Sequence, residues 1–162
     1  MTSSKPPSPV PSPSHFEFES DFIASWRCIP MRVRLNLDTC GVKLKLVHWH
    51  ALEESERRQL VETPCETEAE ATHYREHLLN IVRDRYGSAP KLLDIPDNPA
   101  WEDSSTIPDA VVEKGKEFNF KIQPQQWSSL DRLQRFALIK LSRPSHENKN
   151  FYPALQEFGL AE

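Results

Sequence analysis

The sequence partly repeats itself at an offset of 78 positions. Trp49 falls on Trp127, and the pair Ile29-Pro30 falls on Ile107-Pro108 without a gap. Nine identities lie between residues 29 and 82 in this alignment, the others being at Val33, Lys43, Leu52, Arg57, Leu60 and Tyr74. Because internal self-similarity fixes the architecture of a chain, we predict two copies of one helical unit packed on each other. Residues present in both copies should be scaffold, and residues present in one copy are the better candidates for a specific task.

The composition of the chain marks the boundaries of these units. Residues 1–14 hold five of the 14 prolines and no aromatic residue, which predicts a disordered tail. Residues 15–162 suffice for a single domain, which we predict to be all-α. Unit one covers about residues 27–87, a linker that contains three prolines covers 88–106, and unit two covers about 107–160. The predicted fold is a compact helical bundle of two similar three-helix units.

Helix signals occur at matching places in the two copies. Residues 31–40 alternate apolar and polar side chains, as a strand does, but they also fit a helix that ends at Gly41. The matching residues 109–114 favour a helix, so we predict a helix in both copies. Residues 49–60 are predicted to form one continuous helix with an apolar face. The run Thr67-Glu68-Ala69-Glu70 is a capping box and predicts the start of a third helix.

Charge and hydropathy exclude several classes of function. The formal net charge is −4 and the pI is about 5.9, which argues against nucleic acid and acidic membrane surfaces as partners. The longest purely apolar runs are only a few residues, too short to span a bilayer. The N-terminus has no apolar signal region, and three cysteines, an odd number, fit reduced thiols. We therefore expect a cytoplasmic protein.

The three cysteines are candidates for a metal site. Eleven residues separate Cys28 from Cys40, twenty-four separate Cys40 from Cys65, and His48 and His50 lie between them. Such a set could bind zinc or an iron–sulfur cluster, although the close CxxC spacing that makes this prediction specific is absent. The alternatives are core packing, since Cys is among the most buried residue types, or one reactive thiol.

Two polar segments occur in one copy only. The run His146-Glu147-Asn148 is predicted to lie in a loop, where it could cap a helix, contact a partner, or act in acid–base chemistry. Arg27, Arg32 and Arg34 form a local basic cluster with Lys43 and Lys45. This cluster is either a solvated face or a site for an acidic partner surface or an anionic pterin.

The order of these segments resembles that of the nitrate reductase associated protein family, best known from cyanobacteria. The resemblance covers about residues 15–160. The runs that carry it include Arg27-Cys28-Ile29-Pro30-Met31, Leu37-Asp38-Thr39-Cys40-Gly41, Pro64-Cys65-Glu66-Thr67, His146-Glu147-Asn148 and Pro153-Ala154-Leu155. The resemblance implies an accessory role for assimilatory, molybdenum-dependent nitrate reductase, without nitrate-reducing activity of its own.

We therefore interpret the chain as a non-enzymatic maturation factor that contacts nitrate reductase and holds no cofactor itself. The candidate partner-binding residues are Arg27, Arg32, Arg34, Asp38, His146, Glu147 and Asn148. The alternative is a small metal- or molybdopterin-binding carrier that uses Cys28, Cys40 and Cys65. A third interpretation is a free-standing enzyme that uses His146 and Glu147.

Overall fold

The structure is a computed structural model that describes residues 16–19, 26–143 and 148–162. The predicted tail, residues 1–14, lies outside these ranges. The chain divides into two compact units, and the division falls between Ile95 and Pro96. The described residues form eight α-helices and one sheet of two short strands, which confirms the mainly helical fold. None of these helices combines the length and the apolar character that crossing a membrane requires.

The described residues of the first unit form four α-helices. These are α1 (Met31–Cys40), α2 (Leu46–Ala51), α3 (Glu54–Glu62) and α4 (Glu68–Tyr86), preceded by a 3-10 turn at Glu17–Glu19. Strands β1 (Val42–Lys43) and β2 (Lys91–Leu92) pair antiparallel, with Val42 opposite Leu92 and Lys43 opposite Lys91. Helix α1 packs on α4, and Trp49 of α2 is fully buried in the same apolar cluster. The two helices therefore form the centre of this unit.

Two helix ends in the first unit confirm the sequence predictions. Helix α1 ends at Gly41, whose φ is 79° and whose N–H donates to Leu37 O at 2.8 Å. At the start of α4, Thr67 Oγ1 accepts from the Glu70 N–H, and the Thr67 N–H donates to the Glu70 carboxylate, both at 3.1 Å. The choice of helix over strand for residues 31–40 was thus correct.

The described residues of the second unit also form four α-helices. These are α5 (Asp109–Lys116), α6 (Pro124–Ser129), α7 (Arg132–Leu141) and α8 (Phe151–Glu157), with 3-10 turns at Ala100–Glu102 and Asn148–Asn150. Trp101 packs edge-to-face against Phe136 at 5.1 Å, and Trp127 and Phe151 are fully buried. The core of this unit therefore combines large aromatic side chains with the aliphatic side chains of α7 and α8.

The predicted continuous helix over residues 49–60 was wrong. Helix α2 ends at Ala51 and α3 starts at Glu54, because Leu52 adopts an extended backbone with φ −79° and ψ 157°. The Glu53 N–H donates to the Glu56 carboxylate at 2.8 Å and so begins a new helix. The described part of the first unit consequently has four α-helices where the sequence predicted three.

The second unit has the same break at the matching place. Leu130 is extended, and the Asp131 carboxylate accepts from the Gln134 N–H at 2.8 Å to open α7. At an offset of 78, α2 matches α6 at both ends, and α1 and α3 start where α5 and α7 start. The local geometry therefore follows the repeat seen in the sequence.

The shared Trp and Arg residues make corresponding hydrogen bonds. Trp49 Nε1 donates to Trp26 O at 2.8 Å, and Trp127 Nε1 donates to Asp103 O at 3.0 Å. The guanidinium of Arg57 donates to Leu52 O, and that of Arg135 donates to Leu130 O. Each Arg thus satisfies the carbonyl exposed by the helix break before it. We propose that the two units arose by duplication, and these matched bonds support the proposal.

The stretch predicted as a linker, residues 88–106, takes part in both units. On the first side of the division, β2 pairs with β1, and the Leu93 N–H donates to Gly41 O at 2.7 Å. On the second side, the 3-10 turn Ala100–Glu102 carries the buried Trp101. These contacts with β1 and Gly41 were not predicted from the sequence.

Candidate functional site

Four of the predicted partner-binding residues lie together in the first unit. Arg27 is exposed in the loop before α1, and Arg32, Arg34 and Asp38 are partly buried on α1 itself. Most of the other α1 side chains are buried, so the surface of this helix is polar. The structure thus places these four residues on one helix and the loop that leads into it.

A buried carboxylate holds the start of α1 in place. Pro30 occupies the N-cap and supplies no side-chain cap, so the first N–H groups of the helix need another acceptor. Glu19 fills this role: its carboxylate accepts from the Met31 N–H at 2.6 Å and from the Phe16 N–H at 3.1 Å. An anion at a helix N-terminus is also favoured by the helix dipole. Glu19, which sequence reasoning did not single out, therefore positions the helix that carries the arginines.

The three arginines have different surroundings. Arg34 Nε donates to Ile29 O at 3.0 Å and so ties the preceding loop to α1. Arg27 and Arg32 form no ion pair within the described ranges, and Arg32 Nε is buried without a hydrogen-bond partner there. Arg27 and Arg32 are therefore the cations available to an acidic partner, whereas Arg34 has a structural role.

The second predicted segment is mostly outside the described residues. His146 and Glu147 lie in the undescribed stretch 144–147, and Asn148 opens the 3-10 turn Asn148–Asn150. The role of these three residues stays a prediction.

Two of the three cysteines come together inside the first unit. Cys40 and Cys65 are buried, and each thiol donates to a backbone carbonyl, Cys40 Sγ to Leu37 O at 3.9 Å and Cys65 Sγ to Asn36 O at 3.7 Å. The interaction with the Cys65 thiol, and then burial, raise the pKa of Cys40, so its thiol stays protonated at neutral pH. Cys28 is partly exposed, and no group of three or more His, Cys, Asp or Glu side chains among the described residues could hold a metal ion. The two buried thiols therefore pack the core.

Thiol labelling checks this assignment. With Ellman's reagent in buffer, we expect one thiol per chain, Cys28, to react quickly, because only a thiolate in reach of the reagent attacks it. Cys40 and Cys65 should react only after unfolding in guanidinium chloride. A Cys28→Ser variant should have no fast-reacting thiol, and fast release of three equivalents from the native chain would contradict the buried pair.

His48, on α2, is another buried titratable group of the first unit. Its ring stands edge-on to Tyr86 at 4.7 Å, and Nδ1 accepts from the Lys45 N–H at 3.0 Å, which opens α2. Burial, and then the positive charge of Lys45, lower the pKa of His48 below its ordinary value. The neutral ring, with its proton on Nε2, is therefore the form that the fold stabilises.

This arrangement predicts acid sensitivity. Since the unfolded chain binds a proton on His48 more readily than the folded chain, stability should fall as the pH drops below about 6.5. A His48→Gln variant lacks this group, so its urea midpoint should fall less between pH 7 and pH 5 than that of the natural chain. His73→Gln, which replaces an exposed histidine of α4, is the matched control and should follow the natural chain. Equal pH profiles for His48→Gln and the natural chain would contradict the account.

The comparison with known families decides what kind of protein this is. A model of the family described as conserved nitrate reductase-associated protein matches residues 15–158. The chain belongs to this family. The match confirms the resemblance seen in the sequence motifs, and it spans both units. The family description connects its members with nitrate reductase, and this agrees with an accessory role.

A second similarity is to part of a much larger protein. Over 114 residues the chain is 32% identical to the Heterokaryon incompatibility protein 6, OR allele, of Neurospora crassa. The match covers 65% of this chain but only 16% of the relative. No solved structure matches the chain.

Proposed function

We propose that this protein is a cytoplasmic accessory factor that binds assimilatory, molybdenum-dependent nitrate reductase and is needed for its activity. The observation that carries the proposal is the family match over residues 15–158, since the family is described by its association with nitrate reductase. Two modes of action are open: the factor holds the apo-reductase ready for cofactor insertion, or it stabilises the holoenzyme.

The geometry of α1 supports recognition by direct contact. Arg27 and Arg32 have no ion-pair partner among the described residues of a protein of net charge −4, and the helix that carries Arg32 is fixed at its start by Glu19. Guanidinium groups bind carboxylates in a planar, bidentate geometry, so they suit an acidic surface on the reductase. Arg34 is assigned to the fold, because it bonds to Ile29 O.

A deletion strain separates the two modes. We expect loss of nitrate reductase activity on removal of the gene, with the reductase protein still present. Molybdenum-poor reductase would indicate cofactor insertion, and reductase with full molybdenum content would indicate a holoenzyme-stabilising role. Unchanged activity in the deletion strain would overturn the proposed function.

The similarity to the Neurospora protein extends this proposal to a segment within a longer chain. A similar segment forms a small part of a longer protein whose printed name concerns heterokaryon incompatibility. We infer that the shared segment is a module that can also work as part of a longer chain. Expressing that segment in the deletion strain tests the idea: restored reductase activity means that the shared segment recognises the reductase, and no restoration means that recognition depends on residues particular to this chain.

A further inference from the structure

Strand β2 exposes an unpaired backbone edge. Leu93 N–H donates inward to Gly41 O at 2.7 Å, and Val42 lies opposite Leu92. Backbone groups alternate in direction along an antiparallel strand, so the N–H and C=O of Leu92 point away from β1. No hydrogen bond among the described residues reaches either group. Leu92 therefore offers one donor and one acceptor to a further strand.

Exposed apolar side chains lie around this edge, with the exposed Asp94 between Leu93 and Ile95. The exposed fraction of Leu92 is 62%, the highest among the large apolar residues that the structure describes, and Leu93 and Ile95 are 40% and 48% exposed. A sheet of two strands is marginal in water, and an exposed apolar edge strand is a template for pairing with another chain. The stretch from Lys91 to Ile95 thus has the features of a strand-addition site.

The charges beside the edge define the partner. Lys43 and Lys91 lie directly opposite each other on one face of the sheet, and both are exposed. Like charges in this position repel each other, and neither lysine has an acidic partner in the described part of the chain. A strand with a carboxylate on that face would relieve the repulsion, whereas a second copy of β2 would add another lysine to it.

We propose that the outer edge of β2 binds an extended, acidic segment of a partner protein, which adds to β1 and β2 as a third strand. Its backbone pairs with Leu92, a carboxylate lies beside Lys91, and an apolar side chain of the segment packs beside the Leu92 side chain. This binding mode goes beyond the proposed function, because it holds for any protein that supplies such a segment.

The test uses the full chain and a synthetic peptide of alternating Glu and Val, labelled with fluorescein. Fluorescence anisotropy should show saturable binding, and a peptide of alternating Lys and Val should bind at least about tenfold more weakly. In amide hydrogen exchange followed by NMR, the Leu92 N–H should become protected when the Glu-Val peptide is added. Absence of saturable binding, or binding without protection of Leu92, would overturn the proposal.

Matched variants distinguish the contribution of the lysine charges to binding from that of the backbone edge of β2. Lys91→Glu and Lys43→Glu should each weaken binding about tenfold, and Lys121→Glu, at the position equivalent to Lys43 in the repeat, should leave it unchanged. Leu92→Pro removes the outward N–H, which makes no bond to β1, and should abolish binding, while Leu92→Ala keeps that N–H and should retain protection at residue 92. Equal binding by Leu92→Pro and the natural chain, or concentration-dependent dimers without peptide, would overturn the proposal.

Discussion

Glu19→Ala should lower the free energy of unfolding by about 3 kcal/mol, since hydrogen bonds to a charged group are worth about 1.5–3 kcal/mol each and their loss leaves buried donors unpaired. The carboxylate accepts from the Met31 N–H at 2.6 Å and from the Phe16 N–H at 3.1 Å, and the side chain is only 1% exposed. Urea unfolding followed by circular dichroism measures the loss. Helix α1 should then fray at its first turn, which hydrogen exchange at Val33 and Arg34 would detect.

Two further substitutions make this result specific. Glu19→Gln keeps one side-chain oxygen as an acceptor but loses the charge. It should therefore lower the free energy of unfolding by less than Glu19→Ala does. Glu17→Ala, at an exposed carboxylate of the same 3-10 turn, should cost less than about 0.5 kcal/mol. Equal losses for Glu17→Ala and Glu19→Ala would show that the carboxylate of Glu19 does not hold α1.

Gly41→Ala should destabilise the chain by about 3 kcal/mol, because two separate costs coincide at this position. Gly41 has φ of 79°, which L side chains rarely adopt. An added Cβ would also lie 2.8 Å from Leu93 O and 3.0 Å from Ile95 Cγ1, so the segment after β2 would have to move away. Urea unfolding measures the loss of stability. Hydrogen exchange of the Leu93 N–H, which bonds to Gly41 O, detects the movement of the segment after β2 away from Gly41.

Gly159→Ala is the matched control for this change. Its φ is 77°, close to that of Gly41, but nothing lies within 4 Å of an added Cβ. Gly159→Ala therefore introduces backbone strain without a close contact, and it should lower the free energy of unfolding by about 1 kcal/mol. A loss at Gly41 no larger than that at Gly159 would mean that the approach of Leu93 to Gly41 contributes nothing to stability.

Features with a local cause could be predicted from the sequence. The capping box of Thr67 and Glu70 uses hydrogen bonds three residues apart, and the structure contains both. The break between α6 and α7 had a similar signal in Asp131 and Gln134, which also form a capping box. The apolar periodicity gave no sign of this break, because a run of Leu and Trp at helical spacing continues across it.

Features that depend on distant residues could not be predicted. Glu19 bonds to Met31 twelve residues away, and no spacing rule connects an acidic residue with a helix start at that distance. Strand β2 has two residues, and its partner β1 lies almost fifty positions earlier. The arginine cluster was visible in the sequence, but the distinction between the available Arg32 and the structural Arg34 required the contact of Arg34 with Ile29.

Co-purification of nitrate reductase with the affinity-tagged chain tests the central claim most directly. The natural chain should retain the reductase, and Arg27→Gln combined with Arg32→Gln should retain at least about tenfold less, because these cations have no partner in the described part of the chain. Arg83→Gln combined with Lys121→Gln removes the same charge at exposed positions and should retain the reductase as the natural chain does. Circular dichroism verifies that both variants are folded. Failure of the natural chain to retain the reductase would contradict the account.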